Sequence, residues 1–305
     1  MSGTFLRLRA PIGRRALVAL AALPLLVGAC SSVAPSASAQ GPGAPRPSAP
    51  VLHEATPATI GQSETVQGYT FDSALATLPA DQEYQFRILR PDGNAQTDFL
   101  WDQTKLLHFL AIRADMTNFA HVHPTMAPDG TWSVHLPLGA AGPYQLYVDF
   151  LLKDGQGLPR HFVLRRPLTV PGPYQLSPVM PAPSASGEAD GYRITFMKQP
   201  KPWTVMLLPA RLTKVDGSPV NNLEPYLAVY AHFTSFDPLN DLYGHAHPLE
   251  YAGAGREGWP PINTFRGGPD LTFHAEFPGA GDYRAFVEFQ VAGQLHTAAL
   301  TMHVQ

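Results

Sequence analysis

The stretch KLLHFLAIRADMTNFAHVHP, residues 105–124, returns in altered form as AVYAHFTSFDPLNDLYGHAHP, residues 228–248. His108, His121, His123 and Pro124 correspond to His232, His245, His247 and Pro248, and both sets read H-x12-H-x-H-P at an offset of 124 residues. The turn Asp92-Gly93 precedes the first set by as much as Asp216-Gly217 precedes the second. Downstream, WSVHLPLGAAGPYQLYVDF, ending at Phe150, matches LTFHAEFPGAGDYRAFVEF, ending at Phe289, at an offset of 139, so an insertion of 15 residues separates the two alignments. Self-similarity of this kind means two copies of one structural unit.

Each copy has the period of a β-sheet. In EYQFRIL, Tyr84, Phe86 and Ile88 fall on one face, and LLHFLAIR, WSVHLPL, YQLYVDFLL and HFVLRRPLTV follow between turn signals such as Pro91-Asp92-Gly93, Asp129-Gly130 and Asp154-Gly155. The second copy repeats the plan with YRITFM, TVMLLPARL, YLAVYAHF, LTFHAEF, YRAFVEFQV and LHTAALTMHV, the last two joined across Ala292-Gly293-Gln294. About seven short strands per copy predict an all-β chain of two tandem immunoglobulin-like sandwiches. The expected limits are residues 67–172 and 191–305, with a Pro-rich and then small-polar linker at 173–190.

The N-terminus carries Arg7, Arg9, Arg14 and Arg15, then the apolar run Ala16–Gly28. A basic region and a core too short to span a bilayer predict an export signal over residues 1–29. Leu26-Val27-Gly28-Ala29-Cys30 resembles a bacterial lipobox, and Cys30 is the only cysteine. That resemblance implies lipidation at Cys30 and anchorage to the extracytoplasmic side of an envelope membrane. Residues 30–66, rich in Ala, Pro and Ser, predict a disordered tether. Without residues 1–29 the chain keeps 17 Lys and Arg against 24 Asp and Glu, a net of −7 compared with −3 for the whole. No basic run survives to track a phosphate backbone, so nucleic acid is not an expected partner.

The histidines carry the chemistry. Residues two apart in a strand share a face, as His121 and His123 do, and His245 and His247. Were the hairpin from His108 to His123 to pair residues whose numbers add to an odd value near 231, His108 would join that face; a shift of one residue would remove it. Three imidazoles suit zinc or copper. The expected cofactor is therefore one copper or zinc ion in each repeat.

His135 and His274, matched in the downstream block, are the first candidates for a fourth ligand; His161 and His296 are weaker ones. Asp149 and Glu288 also correspond and are read as ligands or as acceptors behind them. His53 and His303 have no matched counterpart and are read as surface or packing residues.

His-x-His-Pro together with the strands opened by Gly142-Pro143-Tyr144 and Gly281-Asp282-Tyr283 resembles the YtkA-like immunoglobulin-type domains of small exported bacterial proteins. The resemblance implies a binding module associated with copper or heavy-metal handling, working with a metal-delivery or envelope protein partner. The alternative is an envelope module that docks a protein or glycan through aromatics around Trp259 and Phe265, its histidines being structural. No Gly-x-Ser-x-Gly elbow, His-Glu-x-x-His or phosphate loop is present, and no enzymatic activity is expected.

Overall fold

The computed structural model describes residues 63–177, 180–239, 242–249 and 266–305. The export signal, Cys30, His53, Trp259, Phe265 and nearly all of the tether lie outside the described residues. In the first repeat the strands are β1 (Thr65–Val66), β2 (Tyr69–Asp72), β3 (Gln82–Leu89), β4 (His108–Arg113), β5 (Ala120–Val122), β6 (Thr125–Met126), β7 (Trp132–Leu136), β8 (Gly142–Lys153) and β9 (Pro159–Val170). One layer has the order β1-β2-β3-β7-β6 and the other β5-β4-β8-β9. Between them lie Phe71, Tyr84, Phe86, Phe109, Trp132 and Phe150. β3 alternates buried Tyr84, Phe86 and Ile88 with exposed Gln85 and Arg87, so its outer face meets water.

The second repeat comprises β10 (Ser186–Ala189), β11 (Tyr192–Phe196), β12 (Met206–Lys214), β13 (Ala231–Asp237), β14 (Leu242–Ala246), β15 (Asp270–Ala275), β16 (Gly281–Val291) and β17 (Gln294–Val304). They form one folded-over sheet, β14-β13-β16-β17-β10-β11-β12-β15, around Ile194, Phe196, Phe233, Phe273 and Phe289. The fold is joined at the pair Glu188↔Ala299. A side chain at Gly187 would put its Cβ 2.9 Å from the Ala299 carbonyl oxygen, so glycine is what lets β10 lie against β17.

Three sequence boundaries shift. Ser186–Ala189, small and polar enough to read as linker, is strand β10. Thr65–Val66, assigned to the tether, is edge strand β1. YLAVYAHF is a strand only from Ala231, because Leu227 and Ala228 both have positive φ and close a tight turn before it.

The immunoglobulin-like reading holds in both repeats. The Tyr144 hydroxyl donates to the Ala140 carbonyl at 2.9 Å, and the Tyr283 hydroxyl to the Gly279 carbonyl at 3.1 Å. A tyrosine bonded back to the chain a few residues upstream, at the start of this strand, is a hallmark of such sandwiches. Ala292 (φ 53°) and Gly293 (φ 76°) close the β16–β17 hairpin as its two central residues, the conformation that a type I′ turn needs.

The two sandwiches pack on one another within one folded unit. Every residue of β4 and β13 is buried. Phe109 and Ala111 enter their own core, whereas Leu110 and Ile112, with Tyr147 and Val163, meet Phe236, Tyr243 and Phe286 of the second repeat. Phe119 stacks on Phe286 with centroids 4.3 Å apart, and Tyr243 on Tyr147 at 5.1 Å. Phe119 corresponds to Tyr243 and Tyr147 to Phe286 at the two repeat offsets, so each contact is the other's image across a pseudo-twofold axis.

Candidate metal centre

The register that decides the histidine face is set by β4 against β5: Phe109↔Val122, Leu110↔His121 and Ala111↔Ala120, each pair adding to 231. In the second repeat β13 and β14 pair Phe233 with Ala246 and Thr234 with His245, the same alignment advanced by the 124-residue offset. Both registers turn His108 and His232 to the side that carries the H-x-H pairs. That side is the face buried between the repeats. All six rings consequently meet in one cluster, where the sequence had suggested a separate centre in each domain.

Within the first set, His108 Nδ1 lies 3.1 Å from His121 Nε2 and 3.3 Å from His123 Nε2. In the second set the corresponding atoms, His232 Nδ1, His245 Nε2 and His247 Nε2, are buried and have no hydrogen-bond partner. The nitrogens that His232, His245 and His247 would offer an ion lie within 4.8 Å of one another, as do those of His108, His121 and His245. His245 thus belongs to both groupings.

The opposite nitrogens settle the tautomers. His108 Nε2 faces the Asp102 carbonyl oxygen at 3.3 Å and His232 Nε2 faces that of Tyr226 at 3.2 Å. His121 Nδ1 faces Glu288 Oε2 at 2.6 Å, and His245 Nδ1 faces Asp149 Oδ2 at 3.2 Å. Each of these nitrogens meets an acceptor and so carries the ring's hydrogen when the imidazole is neutral. Lone pairs are then left on His108 Nδ1, His121 Nε2, His232 Nδ1 and His245 Nε2, directed into the cluster. Burial, followed by the neighbouring rings, pushes His108, His232 and His247 well below the ordinary histidine range and lowers His123 in the same way. A proton is therefore a poor occupant of this space.

Asp149 and Glu288 bond across the interface. Glu288, in the second repeat, orients His121 of the first, and Asp149, in the first, orients His245 of the second. Asp149 is fully buried; its Oδ2 also accepts the Tyr243 hydroxyl at 2.9 Å, and its Oδ1 faces His161 Nε2. Burial alone would raise its pKa, but His161 and His245 hold it well below the usual carboxylate range. Burial would likewise lower His161, and the Asp149 carboxylate reverses this and keeps it raised. His161 is thus a partner of the carboxylate rather than a member of the six-ring set.

The remaining histidines lie elsewhere. His135 sits on β7 between inward-facing Val134 and Leu136, so its ring points to solvent, where it meets Asp81 at 2.8 Å. His274 pairs with Leu207 in the outer layer, and its backbone N–H reaches the His247 carbonyl at 3.3 Å without its ring joining either grouping. His296 pairs with Phe289 and so takes the core side of β17, bonded to Asp190 at 2.9 Å and packed 4.8 Å from Tyr192. It and His161 stand one strand register apart, since His161 pairs with Leu151. His303 is exposed and bonded to Asp282.

Sequence reading missed Tyr243 and the carbonyls of Asp102 and Tyr226. The carbonyls were within reach. Asp102 and Tyr226 are 124 residues apart, each opens a tight turn, and the turn residues Gln103 and Thr104 match Leu227 and Ala228 in having positive φ.

No curated protein sequence matches the chain. Solved structures similar to it include a tetra-tandem repeat from the extending region of a large adhesion protein, at 12% identity over 77% of this chain and 48% of that one, TM-score 0.22. The adhesin InvE of Yersinia pseudotuberculosis matches at 13% identity over 77% and 58%, TM-score 0.21. The fibronectin(III)-like modules of Clostridium thermocellum CbhA match at 10% over 78% and 94%, TM-score 0.19. The chain thus spans about half the length of the first two of these structures. A family described as a domain of unknown function, DUF8832, matches residues 64–166 and 187–305, that is, both sandwiches and little else; the chain belongs to that family.

Proposed function

We propose that this protein is a membrane-anchored, extracytoplasmic metal-binding lipoprotein that takes copper or zinc into the six-histidine cluster between its repeats. The observation that carries the reading is the convergence of six histidine rings, four of which have the opposite nitrogen already committed to an acceptor. Nitrogens bound at about 2.0–2.1 Å to one tetrahedral ion stand roughly 3.3–3.4 Å apart. The 3.1 and 3.3 Å separations in the first set are close to that spacing. Imidazole without thiolate suits Cu(II) and Zn(II), and carboxylates behind ligating histidines are the usual means of fixing their orientation.

A structural role is favoured at one point only. The 3.1 Å approach of His121 Nε2 to His108 Nδ1 is also the length of a hydrogen bond between the two rings. The second set has no such bond to offer, and its three unpartnered nitrogens favour a cation. Lipidation at Cys30 and a YtkA-like role in metal handling with an envelope partner belong to the same reading; incorporation of labelled palmitate, abolished by Cys30→Ala, tests the anchor.

The test of binding is retention of Zn(II) or Cu(II) by demetallated protein after gel filtration, measured by elemental analysis. His121→Ala with His123→Ala, and His245→Ala with His247→Ala, should each lower retention while the β-sheet circular dichroism is kept. Protein that retains neither ion would refute the proposal.

A further inference from the structure

Resting on the metal-binding reading, we infer that the cluster is a dinuclear centre: each repeat holds one ion on its own Nδ1, Nε2, Nε2 set, and the two ions share one small anion supplied from outside the chain. The two sets are chemically equivalent, atom for atom, and each has three donors. Three protein ligands leave a coordination position open on a tetrahedral ion.

The sets also face each other closely. Across the interface the ring centroids of His108 and His245 are 5.3 Å apart, those of His121 and His245 5.4 Å, and those of His121 and His232 5.5 Å. Inside the sets the separations run from 4.6 Å, between His245 and His247, to 5.9 Å, between His232 and His245. Three opposed pairs are therefore no farther apart than rings expected to share an ion, whereas His108 stands 6.3 Å from His232 and 6.5 Å from His247. Two ions on sets this close, with His245 in both groupings, would be near enough for one ligand to bridge them, as in two-metal sites.

Charge favours an anion as the bridge. Two divalent ions bring four positive charges, whereas the carboxylates touching the cluster are Asp149 and Glu288, one for each set. Both are already engaged with ring N–H groups, and the groupings able to hold an ion among the described residues contain histidine only. The shared ligand thus comes from solvent, as hydroxide or another anion with one or two donor atoms. His123, His245 and His247 are the half-buried members of the cluster, and the anion would pass on their side.

The experiment loads the full chain with copper(II) sulfate and reads copper by elemental analysis beside the electron paramagnetic resonance spectrum. Two coppers per chain are expected, with a half-field transition or with the integrated spin at least twofold below the copper content. An azide titration should end at one azide per copper pair. His232→Ala with His247→Ala should leave one copper with full spin intensity. Saturation at one copper, two coppers with full intensity and no half-field line, or two azides per pair would overturn the dinuclear centre while leaving metal binding intact. Protein that holds no copper or zinc at all would instead remove the metal-binding reading, and this inference with it. The wild-type measurements decide the matter even if the variant fails to fold.

Discussion

Removing the Glu288 carboxylate should weaken the metal set of the other repeat. Glu288 is on β16, and its partner His121 is on β5's side of the interface; the 2.6 Å contact has side-chain exposures of 0% for His121 and 4% for Glu288. A hydrogen bond to a charged group is worth about 1.5–3 kcal/mol, roughly 10- to 150-fold in an equilibrium constant. Loss of such partners behind a metal ligand costs about 10- to 100-fold in affinity. Glu288→Gln, which keeps an acceptor oxygen, should sit near the lower figure. Glu288→Ala should sit near the upper, because the His121 Nδ1–H then has nothing buried to meet. Competition for Zn(II) against a chromophoric chelator reads the change, in a His232→Ala, His247→Ala background that leaves only the first set. Affinity unchanged within about twofold would refute the cross-repeat assignment. So would a loss seen only when the first set is disabled and the second is measured.

Four further outcomes follow from the same geometry. Metal-free protein should lose stability as pH falls below about 6.5, because His108, His123, His232 and His247 stay neutral when folded but take up protons when unfolded. Each contributes a slope approaching about 1.4 kcal/mol per pH unit. His161 has the opposite sign: its folded pKa is raised, so its contribution is complete below about 6.5 and is lost only as pH rises through the folded value. A urea midpoint flat between pH 7 and 5.5 would contradict this. Tyr243→Phe removes a 2.9 Å bond to buried Asp149 and should lower unfolding free energy by about 1.5–3 kcal/mol. Phe236→Ala, at a ring 1% exposed between the repeats, should cost about 3–5 kcal/mol in the same assay. His135→Ala and His296→Ala should leave metal stoichiometry unchanged by elemental analysis, since neither ring reaches the cluster.

Strands were legible wherever one face met water. Tyr84, Phe86 and Ile88 alternate with polar residues and announce β3 without ambiguity. The hairpin register was not legible: H-x12-H-x-H leaves His108 on either face until the pairing of β4 with β5 is known. The same alternation held a warning about His135: with Trp132, Val134 and Leu136 turned inward, the residue between them must point out. What stayed hidden was the docking of the repeats. β4 and β8 are apolar on both faces, which signals a second covering layer but does not identify it. Asp149 finds His245 at a separation of 96 residues, and no local pattern encodes that pairing. β10 was missed for a different reason. Ser-Gly-Glu-Ala has the composition of a linker, and its place in the sheet depends on how closely Gly187 lets the backbone approach Ala299.

The duplication and the chemistry explain one another. A surface that pairs with its own image by a twofold rotation places residue i against residue j and j against i. In this chain Phe119 meets Phe286 as Tyr243 meets Tyr147, and His121 meets Glu288 as His245 meets Asp149. A single repeat therefore carries three imidazoles but not the carboxylate that orients the central one, and it exposes a face whose Leu110, Ile112 and Tyr147 need cover. Packing and ligand orientation demand the same partner surface, so an isolated repeat loses both at once. Joining the copies in one chain makes that encounter intramolecular and independent of protein concentration. It also frees the copies to diverge where symmetry is not needed: His161 supports Asp149 on one side, whereas His296 has turned to the core on the other. In each set one histidine is held by a carbonyl and the central one by a carboxylate, and that carboxylate is placed only by the neighbouring repeat.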